Sequence, residues 1–287
     1  MSRQPHFGRA DLHIHTTCSD GLYKPEEIID LARRSGLGAV AITDHDTLAG
    51  VEPARLAAAS TTVEVITGVE ITTEYQDMEF HILGYFVNPD HQELNSALEW
   101  IRRERQERFH RLLEELRKAG VVLSWNESEQ KSAPESLGRR YLAELLLREK
   151  KVGSIREAFS RYLGDHGRFN VKKARLPIAD AFRLVREAGG ITSWAHPGPR
   201  CNLETLSELA RMGMNAVEVD YPSVKTSFGN QLRKWATLLN MEVTAGSDCH
   251  GPGKNAPGSC SLAAHEFESL KICRDHLTGL SPKLLSS

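Results

Sequence analysis

Nine residues of metal-binding type sit at or near the ends of short apolar runs: His13, His15, Asp20, His45, Glu70, His81, His196, Asp248 and His250. Six of the chain's twelve histidines belong to this set. The set extends over almost the whole sequence, so a fold that unites it must gather many strand ends. A parallel β/α barrel does this, because its active face is built at the C-terminal ends of its strands. The pattern predicts an α/β architecture around a multi-metal hydrolytic site.

The order of elements supports that architecture. Segments 10–14, 38–42, 63–71 and 80–86 read as strands, with helices at 25–34 and 48–59 between them. Pro25 opens the first helix and Glu26 and Glu27 occupy its first turn, which is a helix-start signature. This alternation with short loops predicts a parallel sheet. Between 91 and 171 the rhythm is lost. A long charged helix is predicted over 94–118, with Arg102, Arg103, Arg105, Arg108 and Arg111 on it, then helices over 137–148 and 154–162. The β/α rhythm returns with a helix at 178–188, a strand at 191–195, a helix at 203–211, a strand at 216–219, a helix near 229–239 and a strand at 242–245. The expected division is a barrel over 1–90 and 172–287, interrupted by a small helical subdomain over 91–171.

Several sites carry chemistry. Residues two apart on a strand face the same side, so His13 and His15 can reach one ion. Asp20 lies in a Ser-Asp-Gly turn. Asp44, His45 and Asp46 follow the second strand, where either Asp can cap the next helix, orient a ligand or move a proton. Glu70 is expected to end the third strand and to bridge two cations. His81 lies within an apolar strand, where a histidine can equally be a hydrogen-bonded core residue. His196 precedes Pro197-Gly198, and Asp248 and His250 lie in a Gly-Ser-Asp-Cys-His-Gly turn.

The stretches DLHIHTTCSDG, AVAITDHDTLAG, GVEIT, HILGY, AHPG and GSDCHG resemble the motifs of the PHP (polymerase and histidinol phosphatase) superfamily. The resemblance covers 9–251, interrupted by the insert. It implies a distorted seven-stranded β/α barrel holding two or three divalent metals, manganese, iron or zinc, with manganese favoured. A helical insert after the HILGY-like strand is similar to the branch containing nucleoside 3′,5′-bisphosphate phosphatases and 5′→3′ exoribonucleases. Carried over, His13, His15, Glu70 and Asp248 hold one ion, Glu70, His81 and His196 a second, and Asp20, His45 and His250 a third. The branch's substrate-gripping Arg matches Arg139, in Gly138-Arg139-Arg140-Tyr141, where Tyr141 stands in place of a usual His. Cys249 stands where an aromatic is common, and is expected to reshape the pocket wall.

The expected activity is hydrolysis of phosphate monoesters of nucleotides, of the 3′,5′-bisphosphate type, by a metal-activated hydroxide. The alternatives are a 5′→3′ exoribonuclease on short 5′-phosphorylated RNA and a non-catalytic metal-binding module. Asp46 is the candidate proton donor, Arg139 and Lys173 the candidate substrate contacts. The arginines of 94–118, with Lys172, Lys173 and Arg175, are read either as a solvated face, given the interleaved glutamates, or as a path for an RNA backbone. A net charge of −2 offers no global field for nucleic acid, and a DNA duplex is not expected as partner. No apolar run reaches the roughly 18 residues that span a bilayer, and 1–9 lacks the apolar core of a signal peptide. Five cysteines without paired spacing point to free thiols in the cytoplasm. No obligate protein partner is expected.

Overall fold

A computed structural model describes residues 8–126, 128, 133, 134, 136–164, 168, 169, 171, 173–198, 201–253 and 255–279. Lys172, the first seven residues and the tail at 281–287 lie outside the described residues.

Strands β1 (Arg9–Ile14), β2 (Leu37–Ile42) and β3 (Glu64–Tyr75) run parallel, connected through helices α1 (Pro25–Arg34) and α2 (Val51–Ala58). Ile28, Ile29 and Ala32 of α1 pack with Val51 and Ala54 of α2 on Val40 and Ile42 of β2. β4 (Met78–Tyr85) departs from the expected parallel order, pairing antiparallel with both β3 and β6 (Ile191–Trp194). The cause is local. Gln76 and Asp77 have φ of 50° and 60°, the backbone of a two-residue hairpin turn, so the chain reverses with no room for a crossover helix. Glu70 therefore does not end its strand. It lies inside β3, which continues to Tyr75, and His81 in the early part of β4 pairs with Thr72 beside it.

From β6 onward the expected order returns. β7 (Ala216–Asp220) and β8 (Glu242–Ala245) continue the sheet in parallel. The hydrogen-bonded path is β1-β2-β3-β4-β6-β7-β8, and the two-residue β5 (Leu176–Pro177) pairs with β3 off that path. β8 forms no ladder with β1. The seam is bridged by the chain after β8: Ile14 pairs with Cys249, whose carbonyl accepts from His15 N at 3.0 Å, and Ala10 pairs with Leu262. Leu12, Ala41, Ile66, Leu83, Ile191 and Ala245 form one buried cluster fed by strands from both halves of the sheet, and the Tyr85 hydroxyl crosses it to donate to Leu12 O at 2.9 Å.

The outer helices are α6 (Ile178–Glu187), α7 (Leu203–Arg211), α8 (Thr226–Leu238) and α9 (Ala264–Thr278). The sequence pattern did not predict α9, because its buried residues Phe267 and Leu270 are too few to set a clear period among its charged neighbours. Asp44 does not cap α2, whose N-cap is Gly50. Instead it accepts from Thr16 N and Thr16 Oγ1, both at 2.7 Å, and from Ser19 Oγ at 2.6 Å, and so holds the 16–20 turn.

The long α3 (Gln92–Lys118) has two burial environments along its length. Leu94, Leu98 and Ile101 pack on Val69, Ile71 and Val185 of the β/α body. Phe109, Leu112 and Leu116 enter a separate apolar cluster with α4 (Arg139–Arg148), α5 (Ile155–Ala158) and the π turn Phe159–Leu163. Tyr141 belongs to this second cluster, its ring 6.1 Å from Phe109 and 6.3 Å from Trp125.

Candidate metal centre

The nine predicted residues converge. Glu70 is at the middle: its Oε1 lies 3.0 Å from His81 Nδ1, 3.1 Å from His196 Nε2 and 3.6 Å from His13 Nε2, and its Oε2 lies 2.9 Å from His45 Nδ1 and 3.3 Å from His15 Nε2. Asp248 Oδ1 stands 3.5 Å from His13 Nε2 and 3.4 Å from His15 Nε2. Asp20 Oδ1 approaches His250 Nε2 at 3.3 Å and its Oδ2 approaches His45 Nε2 at 3.9 Å. Four donor groups result, each with its ligand atoms within 4.8 Å of one another: His15, Asp20, His45 and His250; His13, His15 and Asp248; His13, Glu70 and His196; and His45, Glu70 and His81. His13, His15, His45 and Glu70 are thereby each shared between two groups.

Local backbone geometry aims these side chains. Asp11 pairs with Val40 and Ile14 with Ile42, so three steps on β1 match two on β2. This bulge turns both Leu12 and His13 inward, while Ile14 joins the helix-side core, and bulges commonly re-aim side chains in this way. Asp46, His196 and Asp248 adopt φ of 54°, 32° and 47°. Such non-glycine strain costs about 1–3 kcal/mol per residue and concentrates at functional sites. Gly246 is required by close approach, because a Cβ there would lie 2.3 Å from His13 Cβ.

Charge is strongly polarised in this pocket. Burial works against protonation of His13, but Glu218, Glu70 and Asp248 outweigh it and push its pKa well above the usual range. His15 is pushed up to about 10, because Asp248 and Glu70 overcome the same burial penalty. His45 goes the other way, to about 4, since burial dominates despite Glu70 and Asp20. Burial opposes ionisation of Glu70, Asp20 and Asp248, yet the surrounding histidines hold all three carboxyls well below the usual range.

Three further residues complete the surroundings: Glu218 and Glu79, which sequence reasoning missed, and Arg105, which it read only as part of a solvated or RNA-binding helix face. Fully buried Glu218 accepts from His13 Nδ1 at 3.1 Å and from His196 N at 2.5 Å. Its signal was a lone carboxylate within the apolar strand 216–219. Arg105 is buried against Asp46, donating from Nε to Oδ2 at 2.6 Å, and Thr72 N and Oγ1 also donate to that carboxylate. Burial of Asp46 is outweighed by Arg105 and His45, so its pKa is lowered. Glu79 accepts from His81 at 3.0 Å, from Lys173 Nζ at 2.6 Å and from Arg175 Nε at 3.0 Å. Burial and the neighbouring Arg105 pull the Lys173 pKa down to about 8.

Arg139 lines a cavity of about 520 Å³ with His81, His196, Glu79 and Arg175, and its Nη1 donates to Leu163 O at 3.0 Å. Cys249 is buried in the helix-side core with Ile14 and Ile42, so it does not form the pocket wall expected for it. The other arginines of α3 divide: Arg102 donates to Asp46 O, Arg108 to Val171 O, and Arg103 and Arg111 pair with Glu99 and Glu107 one turn away.

Residues 11–179 match the PHP domain. The chain belongs to the PHP family. A 5′-3′ exoribonuclease of Haemophilus influenzae is 31% identical over 248 residues, covering 84% of this chain and 90% of that protein. A 3′,5′-nucleoside bisphosphate phosphatase of Chromobacterium violaceum is 28% identical over 286 residues, covering 96% and 97%. The crystal structure of a metal-dependent phosphoesterase from Bifidobacterium adolescentis superposes with a TM-score of 0.84 at 26% identity, covering 94% of this chain and 98% of that one. This PHP chain is accordingly a hydrolase of phosphoester bonds with the distorted barrel of its structural relatives. No helix among the described residues is long and apolar enough to cross a membrane.

Proposed function

We propose that this PHP protein removes phosphate from small nucleotides of the 3′,5′-bisphosphate type, at a centre of two or three divalent ions held by His13, His15, Asp20, His45, Glu70, His81, His196, Asp248 and His250. The donor set fits such ions: imidazole nitrogen with carboxylate oxygen suits manganese, iron or zinc, with manganese favoured here. The buried Nδ1 atoms of His15 and His45 also lack an aligned hydrogen bond, leaving lone pairs for a cation. Bound ions would supply hydroxide near neutral pH and neutralise phosphate charge.

The chain's own residues do the rest. Glu218 sets the ring of His13 and the backbone of His196. Arg105 keeps Asp46 ionised, which favours a positioning role for that carboxylate over the proton donation expected from sequence. Arg139 offers a planar fork to phosphate, with Arg175 beside it and Lys173 behind Glu79. The observation that carries the nucleotide reading is a single cavity lined both by His81 and His196 of the proposed centre and by Arg139 and Arg175. Arg139 brings the helical segment to the edge of that cavity, which supports reading the segment as its cap.

A second reading is a 5′→3′ exoribonuclease, favoured by the Haemophilus influenzae relative. Neither reading requires a DNA duplex, a membrane or a protein partner, and the cytoplasm is our proposed location. The test incubates manganese-loaded protein with adenosine 3′,5′-bisphosphate and, separately, with a 5′-phosphorylated RNA oligomer. Phosphate released from the bisphosphate alone is the expected result. Mononucleotides stepping from the RNA end establish the second reading, and silence on both with metal bound overturns both.

A further inference from the structure

We propose that the cavity formed by Tyr221, Pro222, Ser223, Val224, Lys225 and Phe228 is the nucleobase subsite. This inference rests on the nucleotide reading above. The cavity encloses about 660 Å³, within the range of about 300–1,000 Å³ usual for small-molecule sites. It reaches the metal centre directly, since His196 and Asp248 also line it. It shares His196 and Gly198, and no other lining residue, with the cavity of Arg139 and Arg175. A phosphate at His196 thus has two differently built chambers beside it.

Their chemistry differs. The Arg139 chamber is lined by the Arg139 and Arg175 guanidiniums and by the Asp77 and Glu79 carboxylates, so it suits a charged arm that the guanidinium forks can grip. The Tyr221 chamber has aromatic and aliphatic walls, with Lys225 as the one cation among its lining residues. Lys225 is exposed, whereas Tyr221 is buried and Phe228 is half-buried. An uncharged aromatic heterocycle fits such walls by stacking. The walls are also braced. The Tyr221 hydroxyl donates to Pro197 O at 2.5 Å, tying the chamber to the turn after His196. The Phe228 ring stands edge-on to Trp235 with centroids 6.4 Å apart. A preformed aromatic wall loses little freedom on binding.

The test compares kcat/KM for adenosine 3′,5′-bisphosphate with that for its base-free tetrahydrofuran analogue. Wild-type enzyme is expected to prefer the nucleotide, through KM. Phe228→Ala is expected to cut that preference about tenfold, the scale of one base–aromatic stack. Because Phe228 also packs against the core, Lys225→Trp provides a second variant that obstructs the rim from an exposed position with ordinary extended backbone, and the same loss of preference is expected. A wild-type preference that survives in both variants overturns the assignment. Equal wild-type rates on the two substrates also overturn it, while leaving the phosphatase reading intact. Failure of wild-type enzyme on both substrates instead removes the nucleotide reading itself.

Discussion

Glu218 stands behind two histidines of the centre without belonging to any of the four donor groups, and its effect is therefore separable from theirs. Carboxylates that orient ligating histidines are commonly worth about 10–100-fold in metal affinity. Glu218→Gln keeps an acceptor oxygen but removes the charge, and it is expected to weaken metal binding within that range, read by titration with a chelator, with the fold retained. His15→Ala should abolish phosphatase activity and lower the bound metal measured by elemental analysis. Wild-type turnover with full metal content would refute the site. Asp46→Asn strands the buried Arg105 guanidinium, and unpairing a buried charge costs about 3–5 kcal/mol, so a melting temperature several degrees lower is expected. The histidines were legible because imidazoles at or near the ends of apolar runs are conspicuous, and His196 and His250 also stand directly before Pro197 and Gly251. Glu218 and Arg105 were not, since a lone Glu in a strand and one Arg of five on a helix acquire meaning only from what folds against them.

Secondary elements differ in how much local sequence decides. α1 and α7 form over the predicted residues, because Pro25 and the Asn202 cap are start signals that act locally. The direction of β4 was misjudged, because a two-residue turn at Gln76-Asp77 lacks the glycine that usually announces such a hairpin. The bulge in β1 is likewise invisible in a run of apolar and polar alternation, although it decides that His13 faces inward. Gly246 is the reciprocal constraint from β8. Gly246→Ala should displace His13 and lower metal affinity and activity together, while circular dichroism retains the wild-type helix content. A fully active Gly246→Ala variant would mean that β1 and the post-β8 turn can separate at no cost.

At the scale of the whole molecule, the proposed centre would couple folding and protonation to metal binding. His13, His15 and His81 have pKa values raised above their usual 6.5, to about 10 for His15. In metal-free protein their protonation contributes stability that is fully present below pH 6.5 and is lost as pH rises through these raised values. Metal must displace the same protons, so its affinity should rise over that window. Thermal melts between about pH 6 and 9 should therefore show metal-free protein losing stability as pH rises while manganese stabilises it by a growing margin. Manganese binding at neutral pH should also release protons, detectable by calorimetry in buffers of different ionisation enthalpy. A pH-independent margin with no proton release would separate these histidines from the metal.

The sequence alone determined the chemistry and the class of fold: nine ligand-type residues near strand ends, an alternating β/α order and an interrupting helical stretch. Those signals are local, carried by residue type, spacing and turn composition. Tertiary structure decided the reversal of β4, the inward turn of His13, the sharing of His13, His15, His45 and Glu70 between donor groups, and the pairing of Asp46 with Arg105. Each depends on groups far apart in the chain meeting inside a low-dielectric pocket, where contact geometry sets both orientation and charge.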